Sequence, residues 1–309
     1  MAGHATRRSP EVIGAACEAG VEALLAAGTT HVGDISASGL SVVPLVRSGL
    51  KGIVWIEVLG ITMEQGLARL EFVKRYVDEL RDVAGNSPIH IGLTLHSPYS
   101  VHPDLWKPAL RWIEAEALPL CVHAAESPGE WEVFTRGTGS FRVFESNLFI
   151  SRLPSALRAP ASYLVEKGSP LLRPFLLRQL RKLGLPYLPS PKMTPVAYLE
   201  QKGVLDFKPW LVHMVQVSDE DIERVRRSGA TVVHCPRSNQ RLQCGRMPLE
   251  KYLAAEIPLL IGTDSRASSP SLDVREEVAL ARTWHGNRVD GDLIERMAQN
   301  VAIFEAHYT

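Results

Sequence analysis

The sequence predicts an α/β barrel in which short parallel strands alternate with helices. Seven short apolar runs are separated mostly by amphipathic stretches, and four of the runs lead directly to a His or an Asp. Alternation of strand and helix is typical of parallel βαβ units. Polar residues at the carboxyl ends of successive strands are the arrangement of an active site on a (β/α)8 barrel. Because 309 residues with 45% hydrophobic content suit one large core, we expect one catalytic domain over residues 1–309.

The elements follow one another in a regular order from the first helix. Ser9 is expected to be the N-cap of that helix, Pro10 its first residue and Gly28 its C-terminal stop. The predicted strands then cover 30–35, 52–59, 89–95, 118–122, 210–212, 230–233 and 257–262. The predicted helices cover 63–83, 103–117, 218–227, 248–255, 272–281 and 292–307. Most of these helices connect consecutive strands, as parallel pairing requires.

Residues 127–209 interrupt the alternation, because this segment is far too long for one crossover. It contains several aromatic residues and seven arginines between Arg136 and Arg181, with Pro and Gly throughout. We expect an insertion that forms a lid over the mouth of the site, partly helical around 171–183 and 195–203. A packing subdomain with solvated arginines is the alternative interpretation.

The composition excludes several classes of partner. Lys+Arg and Asp+Glu number 34 each, so the formal charge of zero gives no reason to expect nucleic acid or an anionic membrane as a partner. No stretch reaches the ~20 apolar residues of a membrane span, and residues 1–10 have no signal-peptide core. The four cysteines form no CxxC pair and are expected to be reduced. We therefore expect a cytoplasmic protein with a small-molecule partner.

The residues at the strand ends have the chemistry of a metal-assisted hydrolase. His123, His213 and Asp264 each follow an apolar run, and Glu126 lies three residues after His123. Imidazole and carboxylate groups bind Zn²⁺ or Fe²⁺, and a catalytic site keeps one position open for water. A metal lowers the pKa of such a water. Glu126 is suited to carry a proton to a ring nitrogen or leaving group, and Asp264 to take one from the water.

Six segments together resemble the amidohydrolase superfamily. Within it they are similar to the aminohydrolases that deaminate purines, guanine, triazines and adenine nucleosides. The segments are 28–34, 95–100, 122–127, 211–215, 233–239 and 262–265. Each is weak alone, but their joint occurrence in this order over nearly the whole chain is specific.

The resemblance implies a role for each matched residue. His123, His213 and Asp264 would bind one divalent ion, Zn²⁺ or Fe²⁺. Glu126 would be the proton shuttle, His213 would bind the metal or orient the attacking water, and Asp264 would also be the general base. His96 would hydrogen-bond the substrate. Since superfamily members often dimerise, a homodimer is one implied state of assembly.

Further residues are similar to the aminodeoxyfutalosine deaminases of the menaquinone route. Segment 55–60, the loop at His96 and the arginines of the insertion carry this similarity. Glu57, an acid on an apolar strand, is expected to face the pocket, because buried acids need partners. The substrate of those deaminases carries a carboxylate, which an arginine would bind bidentately; the candidates are Arg136, Arg142 and Arg158.

We therefore expect a hydrolase that cleaves a C–N bond of a cyclic amidine and releases ammonia from an amino-substituted purine nucleoside. Within this class, 6-amino-6-deoxyfutalosine is the best match. Deamination of S-adenosylhomocysteine, methylthioadenosine, adenosine or guanine, and hydrolysis of chlorotriazines, stay open as alternatives.

Two parts of the superfamily pattern are missing. The His-x-His pair of the first barrel strand has no counterpart, because no two of the ten histidines are separated by a single residue. The small β-sandwich that superfamily members build around the barrel has no counterpart either. The chain thus resembles strands two to eight of a barrel that is incomplete at its N-terminus. We expect the missing strand to lie upstream of Met1; the alternative is a degenerate homologue that serves ligand binding or assembly.

Overall fold

The computed structural model describes residues 9–139, 141 and 190–306. Its centre is a parallel sheet of seven strands, which lie side by side in the order in which they occur in the chain. Each strand pairs in parallel with the next one. The strands are β1 (His31–Ser36), β2 (Lys51–Val58), β3 (Ile89–Leu95), β4 (Leu120–Ala124), β5 (Trp210–His213), β6 (Thr231–His234) and β7 (Leu259–Ile261).

The helices of the described part precede, connect and follow these strands. The first five are α1 (Pro10–Ala26), α2 (Val42–Ser48), α3 (Met63–Ala84), α4 (Trp106–Ala115) and α5 (Pro128–Thr135). The later ones are α6 (Pro195–Gln201), α7 (Asp219–Ser228), α8 (Pro236–Arg241), α9 (Leu249–Ala254), α10 (Val274–His285), α11 (Gly291–Gln299) and α12 (Val301–Glu305). A short 3₁₀ turn, Leu205–Phe207, precedes β5.

The sheet curls like the wall of a barrel. Trp55 of β2 and Trp210 of β5 lie with their ring centroids 5.0 Å apart. In a flat sheet three strand spacings would separate these two strands by about 14 Å. The two tryptophans also share one buried cluster with Leu260 of β7. The inner face is therefore concave, and the seven strands form an incomplete (β/α) barrel, as the sequence predicts.

The outer face of the sheet is covered by helices. The long helix α3 shows how the sequence produces this packing, since its buried residues recur every three or four positions; they are Gly66, Leu70, Val73, Val77, Leu80 and Ala84. This spacing places them on one stripe of the helix. Thr62 caps the helix by accepting a hydrogen bond from the Gln65 backbone N–H. The stripe belongs to the large core that includes residues of every described strand from β2 to β7.

The inner face leaves room for tryptophan only because glycine lies opposite it. A Cβ atom added at Gly92 of β3 would come within 2.6 Å of Trp55 Cδ1 and 2.7 Å of the Pro119 carbonyl oxygen. Such distances require the indole and the neighbouring backbone to move. Gly92 is thus a packing requirement of the curled sheet rather than a turn signal.

The predicted elements are largely confirmed. All seven predicted strands are present, and α1 begins at Pro10 after Ser9 as expected. The prediction of one continuous helix over 292–307 is wrong. Asn300, with a ψ of 63°, is the C-cap of α11 and the N-cap of α12, so the segment forms two helices. Predicted helix 195–203 corresponds to α6, whereas predicted helix 171–183 lies outside the described residues.

The insertion is described only at its two ends, where α5 follows β4 and α6 precedes β5. Phe134 of α5 packs edge-to-face on Tyr198 of α6, with ring centroids 5.3 Å apart. The two ends therefore touch each other. A lid formed by 127–209 stays a prediction. None of the described helices is long and apolar enough to cross a membrane.

Candidate active site

The carboxyl ends of three neighbouring strands bring three histidines together. His96 directly follows β3, His123 is the penultimate residue of β4, and His213 is the last residue of β5. The ring centroids of His96 and His123 are 5.2 Å apart, and those of His123 and His213 are 5.5 Å apart. Parallel pairing of consecutive strands explains this row, because equivalent ends of the strands lie at one edge of the sheet.

His123 is held in one orientation by a backbone carbonyl. Its Nδ1 lies 3.0 Å from the carbonyl oxygen of His96. Because a carbonyl only accepts hydrogen bonds, Nδ1 carries the proton and Nε2 keeps its lone pair. Burial, together with the neighbouring His213 and His96, lowers the pKa of His123 to about 4. His123 is therefore a neutral imidazole at neutral pH, which is the form that binds metals.

His213 is held in the same manner by a side chain. Its Nδ1 lies 3.0 Å from Oδ1 of Asn239, which lies in α8 directly after β6. His213 is buried and has a φ of 75°, and the next residue, Met214, has a φ of 49°. Left-handed conformations at non-glycine residues are costly and are kept where the surroundings enforce them, often at functional sites. The Tyr252 hydroxyl supports this bend by donating to the Met214 carbonyl at 3.0 Å.

Asp264 follows β7 and is surrounded by hydrogen-bond donors. The Ser238 hydroxyl donates to Oδ2 at 2.5 Å and the Ser268 hydroxyl at 2.8 Å. The Ser265 backbone N–H donates to Oδ1 at 2.6 Å. Burial alone would raise the pKa of Asp264, but His213 and these donors together hold it below its ordinary value. Asp264 is thus an ionised carboxylate at neutral pH.

Glu126 lies beside His213 and Cys244. Its Oε1 is 3.7 Å from Nε2 of His213 and accepts a hydrogen bond from the Cys244 thiol, also at 3.7 Å. The loop that carries it is held by Glu130 of α5. The two oxygens of Glu130 accept the backbone N–H groups of Ala125 at 3.1 Å and of Glu126 at 2.8 Å. The side chain of Glu126 therefore faces the histidines from a fixed backbone.

A second acid lies on the other side of the row of histidines. Glu57 Oε1 is 3.9 Å from His96 Nε2, and burial raises the pKa of Glu57 despite the nearby Arg69. The other ring nitrogen of His96 lies 2.6 Å from the Ser100 hydroxyl. Burial lowers the pKa of His96 to about 4, so its ring is neutral at neutral pH. Glu57 therefore lies next to His96, and its predicted place in the pocket stays a prediction.

An aromatic wall adjoins His96. Tyr99 stands edge-on to the His96 ring at 6.0 Å, and Phe141 packs on Tyr99 at 4.8 Å. Aromatic faces of this kind suit a planar heterocycle. The predicted carboxylate clamp is only partly described. Arg136 ends α5 and is exposed, while Arg142 and Arg158 lie outside the described residues, so the clamp stays a prediction.

The donors fit a metal ion one by one. His123 and His213 each have Nδ1 engaged in a hydrogen bond, which leaves Nε2 as the nitrogen available to a metal, and Asp264 supplies an ionised carboxylate. Within 9–139, 141 and 190–306, however, no three His, Cys, Asp or Glu side chains form a group spaced to hold a metal. The described side chains are therefore suitable ligands that do not close a metal site by themselves.

Several residues of the site were not singled out from the sequence. Glu130 has a recognisable signal, because Ser127 and Glu130 have the spacing of a capping box just before a helix. The Ser127 hydroxyl accepts the Glu130 N–H at 3.3 Å. Cys244 and Ser268 have no comparable signal. Cys244 reaches Glu126 from 118 residues further along the chain, and Ser268 lies on the loop that follows Asp264.

Comparison with known proteins identifies the class to which this site belongs. The profile of the amidohydrolase family matches residues 4–154 and 190–300. The chain therefore belongs to the amidohydrolase family, which is metal-dependent.

The individual relatives include nucleoside deaminases. The chain is 35% identical over 270 residues to the aminodeoxyfutalosine deaminase of Deinococcus radiodurans. The match covers 87% of the chain and 58% of that protein. The chain thus spans little more than half the length of this relative.

Solved structures share the fold. The aminofutalosine deaminase of Helicobacter pylori in complex with methylthio-coformycin superposes with a TM-score of 0.68 at 22% identity, covering 91% of the chain and 59% of that structure. An adenosine deaminase from Xanthomonas campestris with bound zinc superposes with a TM-score of 0.67 at 20% identity, covering 95% and 56%. At such identities these two likenesses establish the fold alone.

Proposed function

We propose that the chain forms the catalytic barrel of a hydrolytic deaminase that acts on an amino-substituted purine nucleoside. The observation that carries the proposal is the placement of Glu126 beside His213, in the same row of strand ends as His123. The 35% identity to an aminodeoxyfutalosine deaminase supports 6-amino-6-deoxyfutalosine as the substrate. Menaquinone biosynthesis would then be the route in which the reaction occurs.

The metal of this site would be held by the residues with free donors. We assign His123 and His213 through Nε2, and Asp264 through its carboxylate, as ligands of one Zn²⁺ or Fe²⁺ ion. Such an ion, when bound, lowers the pKa of water to near neutrality. A zinc-containing structure with the same fold is consistent with the donor types present here.

The proton transfers fall to the chain's own carboxylates. Asp264, which is kept ionised, accepts a proton from the attacking water while the oxygen bonds to the ring carbon that bears the amino group. Glu126 donates a proton to the adjacent ring nitrogen, so that the ring does not accumulate negative charge. The C–N bond then breaks as the amino group takes up the proton held by Asp264 and leaves as ammonia, and the second proton of the water passes to Glu126, so that both carboxyl groups return to their starting state. The products are the oxo-purine and ammonia, and all atoms are accounted for.

The substrate side of the pocket would be formed by Glu57 and His96. A neutral imidazole next to an acid offers both a donor and acceptors, which suits the hydroxyl groups of a sugar. Tyr99 and Phe141 supply the face for the base. The substrate's carboxylate would meet an arginine of the insertion, for which Arg136, Arg142 and Arg158 are the candidates.

A panel of 6-aminopurine nucleosides with detection of ammonia tests the proposal. We expect the highest kcat/KM for aminodeoxyfutalosine, above adenosine, methylthioadenosine and S-adenosylhomocysteine. The variant Glu126→Gln should lose about 10²- to 10⁴-fold in kcat, as expected for a lost general acid. Glu114→Gln, at an exposed position of α4, is the control and should be unchanged. Release of chloride from a chlorotriazine in place of ammonia, or an unaltered Glu126→Gln variant, would contradict the assignment.

A further inference from the structure

A buried acid behind the candidate active site joins two strand-end loops. Glu277, in the first turn of α10, is fully buried. Its Oε2 accepts the backbone N–H of Arg237 at 2.8 Å, and its Oε1 accepts the hydroxyl of Ser269 at 3.0 Å. Arg237 lies in the segment after β6, and Ser269 in the segment after β7. One carboxylate therefore holds two loops that are separated by a strand and a helix in the sequence.

In the first loop, the two residues that follow the anchored Arg237 contact two candidate catalytic residues. Ser238 and Asn239 follow Arg237 in α8, and both are fully buried. The Ser238 hydroxyl donates to Asp264, and Oδ1 of Asn239 accepts from Nδ1 of His213 at 3.0 Å. Three consecutive residues thus make three contacts, of which one is the anchor and two reach the site.

The second loop repeats this arrangement on the other side of Asp264. Ser269 is the anchored residue, and its neighbour Ser268 donates to Asp264 Oδ2 at 2.8 Å. The backbone N–H of Ser269 also donates to the Ser265 carbonyl at 2.8 Å, which closes the turn around the aspartate. Both hydroxyl donors of Asp264 therefore lie next to a residue that Glu277 holds.

We propose that Glu277 is a positioning residue of the active site. By holding Arg237 and Ser269 it fixes Ser238 and Ser268 on Asp264, and Asn239 on His213. The inference rests on the proposed function for its catalytic meaning, but the loop anchoring stands on geometry alone. Its oxygens accept from two loops outside α10 and not from the backbone of α10 itself. A buried carboxylate needs hydrogen-bond partners, because burial without them is costly. Both partners of Glu277 lie on the two loops, so its hydrogen bonds tie these loops to α10.

The two partners of Glu277 differ in a way that permits a sharp substitution. The Arg237 N–H only donates, whereas the Ser269 hydroxyl both donates and accepts. In Glu277→Gln, the amide oxygen can accept from Arg237 and the amide nitrogen can donate to Ser269. The Ser269 hydroxyl can then turn to the Ser271 carbonyl, 3.3 Å away. Burial also raises the pKa of Glu277 to about 7. Glu277→Ala, in contrast, removes both contacts.

Hydrogen–deuterium exchange on the full chain tests the anchoring without any need for catalysis. In Glu277→Ala we expect backbone amides of 235–241 and 262–269 to exchange about tenfold faster than in the parent chain. Amides of β3 should be unchanged, and Glu277→Gln should stay within about twofold of the parent. Glu276→Ala is the matched control, because Glu276 forms a half-exposed ion pair with the Arg237 guanidinium and does not touch its backbone N–H in the described structure.

Faster exchange limited to α10, or an equal increase in every strand, would overturn the anchoring role. If Glu277→Ala does not fold, Ser269→Ala takes its place, since it removes the contact of Glu277 to the second loop and leaves the contact to Arg237 intact. That variant should accelerate exchange in 262–269 and leave 235–241 protected; acceleration in neither loop would also overturn the proposal.

Kinetics separate the positioning role from mere stability. In an active preparation, Glu277→Ala should lower kcat about 10- to 100-fold and change KM less than threefold, since a misplaced Asp264 acts in the transition state. Glu277→Gln should restore kcat. Combination with Ser238→Ala should add little, because both changes act through the same contact. If no nucleoside is deaminated while the exchange pattern holds, the proposed function fails and the anchoring stands. If activity is present and Glu277→Ala leaves kcat unaltered, the positioning role fails instead.

Discussion

Glu130 and Glu277 are both buried acids that hold strand-end loops, but their partners differ. Glu130 accepts two backbone N–H groups, from Ala125 and Glu126. Neither donor can reverse, so both oxygens of Glu130 must accept. Burial raises the pKa of Glu130 to about 8, in spite of these donors. The surroundings of Glu130 therefore favour a side chain with two acceptor oxygens, even though ionisation of a carboxyl group there is costly.

Glu130→Gln should consequently be harmful, in contrast to Glu277→Gln. The amide nitrogen would face a backbone N–H, so one hydrogen bond is lost and one buried donor stays unpaired. We expect a loss of about 1–3 kcal/mol in the free energy of unfolding, together with a lower kcat because Glu126 shifts. Urea unfolding at pH 7 measures the first effect and ammonia release the second. A Glu130→Gln variant as stable as the exposed-site control Glu114→Gln would contradict the claim that both oxygens of Glu130 must accept hydrogen bonds.

At the scale of elements, strands β2 to β7 were predictable because they are largely buried on both faces, whereas β1 is only partly buried. Such strands appear in the sequence as short continuous apolar runs. The short helices α2 and α8 were not predicted, since six or seven residues show too little periodicity. The residues at strand ends were recognisable by their position after the runs. The contacts that fix them, such as Arg237 with Glu277, join segments 40 residues apart and leave no local pattern.

The glycine opposite Trp55 gives a prediction about a single strand. In Gly92→Ala, the new methyl group would meet the indole and the Pro119 carbonyl well inside van der Waals distance. We expect a loss of about 1–3 kcal/mol in the free energy of unfolding, the usual cost of overpacking. Gly14→Ala in α1 is the matched control, because its Cβ would meet nothing within 4 Å and should stabilise the helix by about 0.5–1 kcal/mol. Urea titration followed by circular dichroism compares the two; equal effects would refute the packing argument.

Helix α9 provides a prediction about pH. Glu250 accepts hydrogen bonds from Arg246 at 2.7 and 2.9 Å and from Arg288 at 3.2 Å. The bonds from Arg246, followed by that from Arg288, lower the pKa of Glu250 to about 2 despite partial burial. A pKa lower in the folded state means that this stabilisation is present above pH 4.5 and is lost as the pH falls towards 2.

Glu250→Gln should therefore destabilise the chain more at pH 6 than at pH 3. At pH 6 we expect a difference of about 1 kcal/mol from the parent, since the pair lies near the surface. At pH 3 the difference should shrink, because the parent's own carboxyl group is then losing its advantage over the unfolded state. Urea unfolding of both chains at the two pH values gives the comparison, with Glu114→Gln as the control. A difference that is constant with pH would mean that the shape of Glu250, and not its charge, is what matters.

At the scale of the whole molecule, the two ends of the barrel differ in the residues that they hold. The candidate site lies at the carboxyl ends of the strands, whereas α12 covers the inner face near their amino ends. Phe304 of α12 packs edge-to-face on Trp210 at 4.7 Å and lies 5.7 Å from the ring of His31, the first residue of β1. The residues that pack the barrel interior near the amino ends and the candidate site residues therefore lie at opposite ends of the barrel axis, as is usual in this fold.

This separation predicts that Phe304→Ala changes stability but not the site. The variant removes a half-buried ring from the cluster around Trp210, so we expect a loss of about 1–3 kcal/mol in the free energy of unfolding and a change in tryptophan fluorescence. The exchange of loops 235–241 and 262–269, at the opposite end, should stay within about twofold of the parent. Val301→Ala, at an exposed position of the same helix, should alter neither quantity. If Phe304→Ala instead accelerated exchange around Asp264, the two ends would be coupled through the interior tryptophans, and the barrel would have to be treated as one cooperative unit.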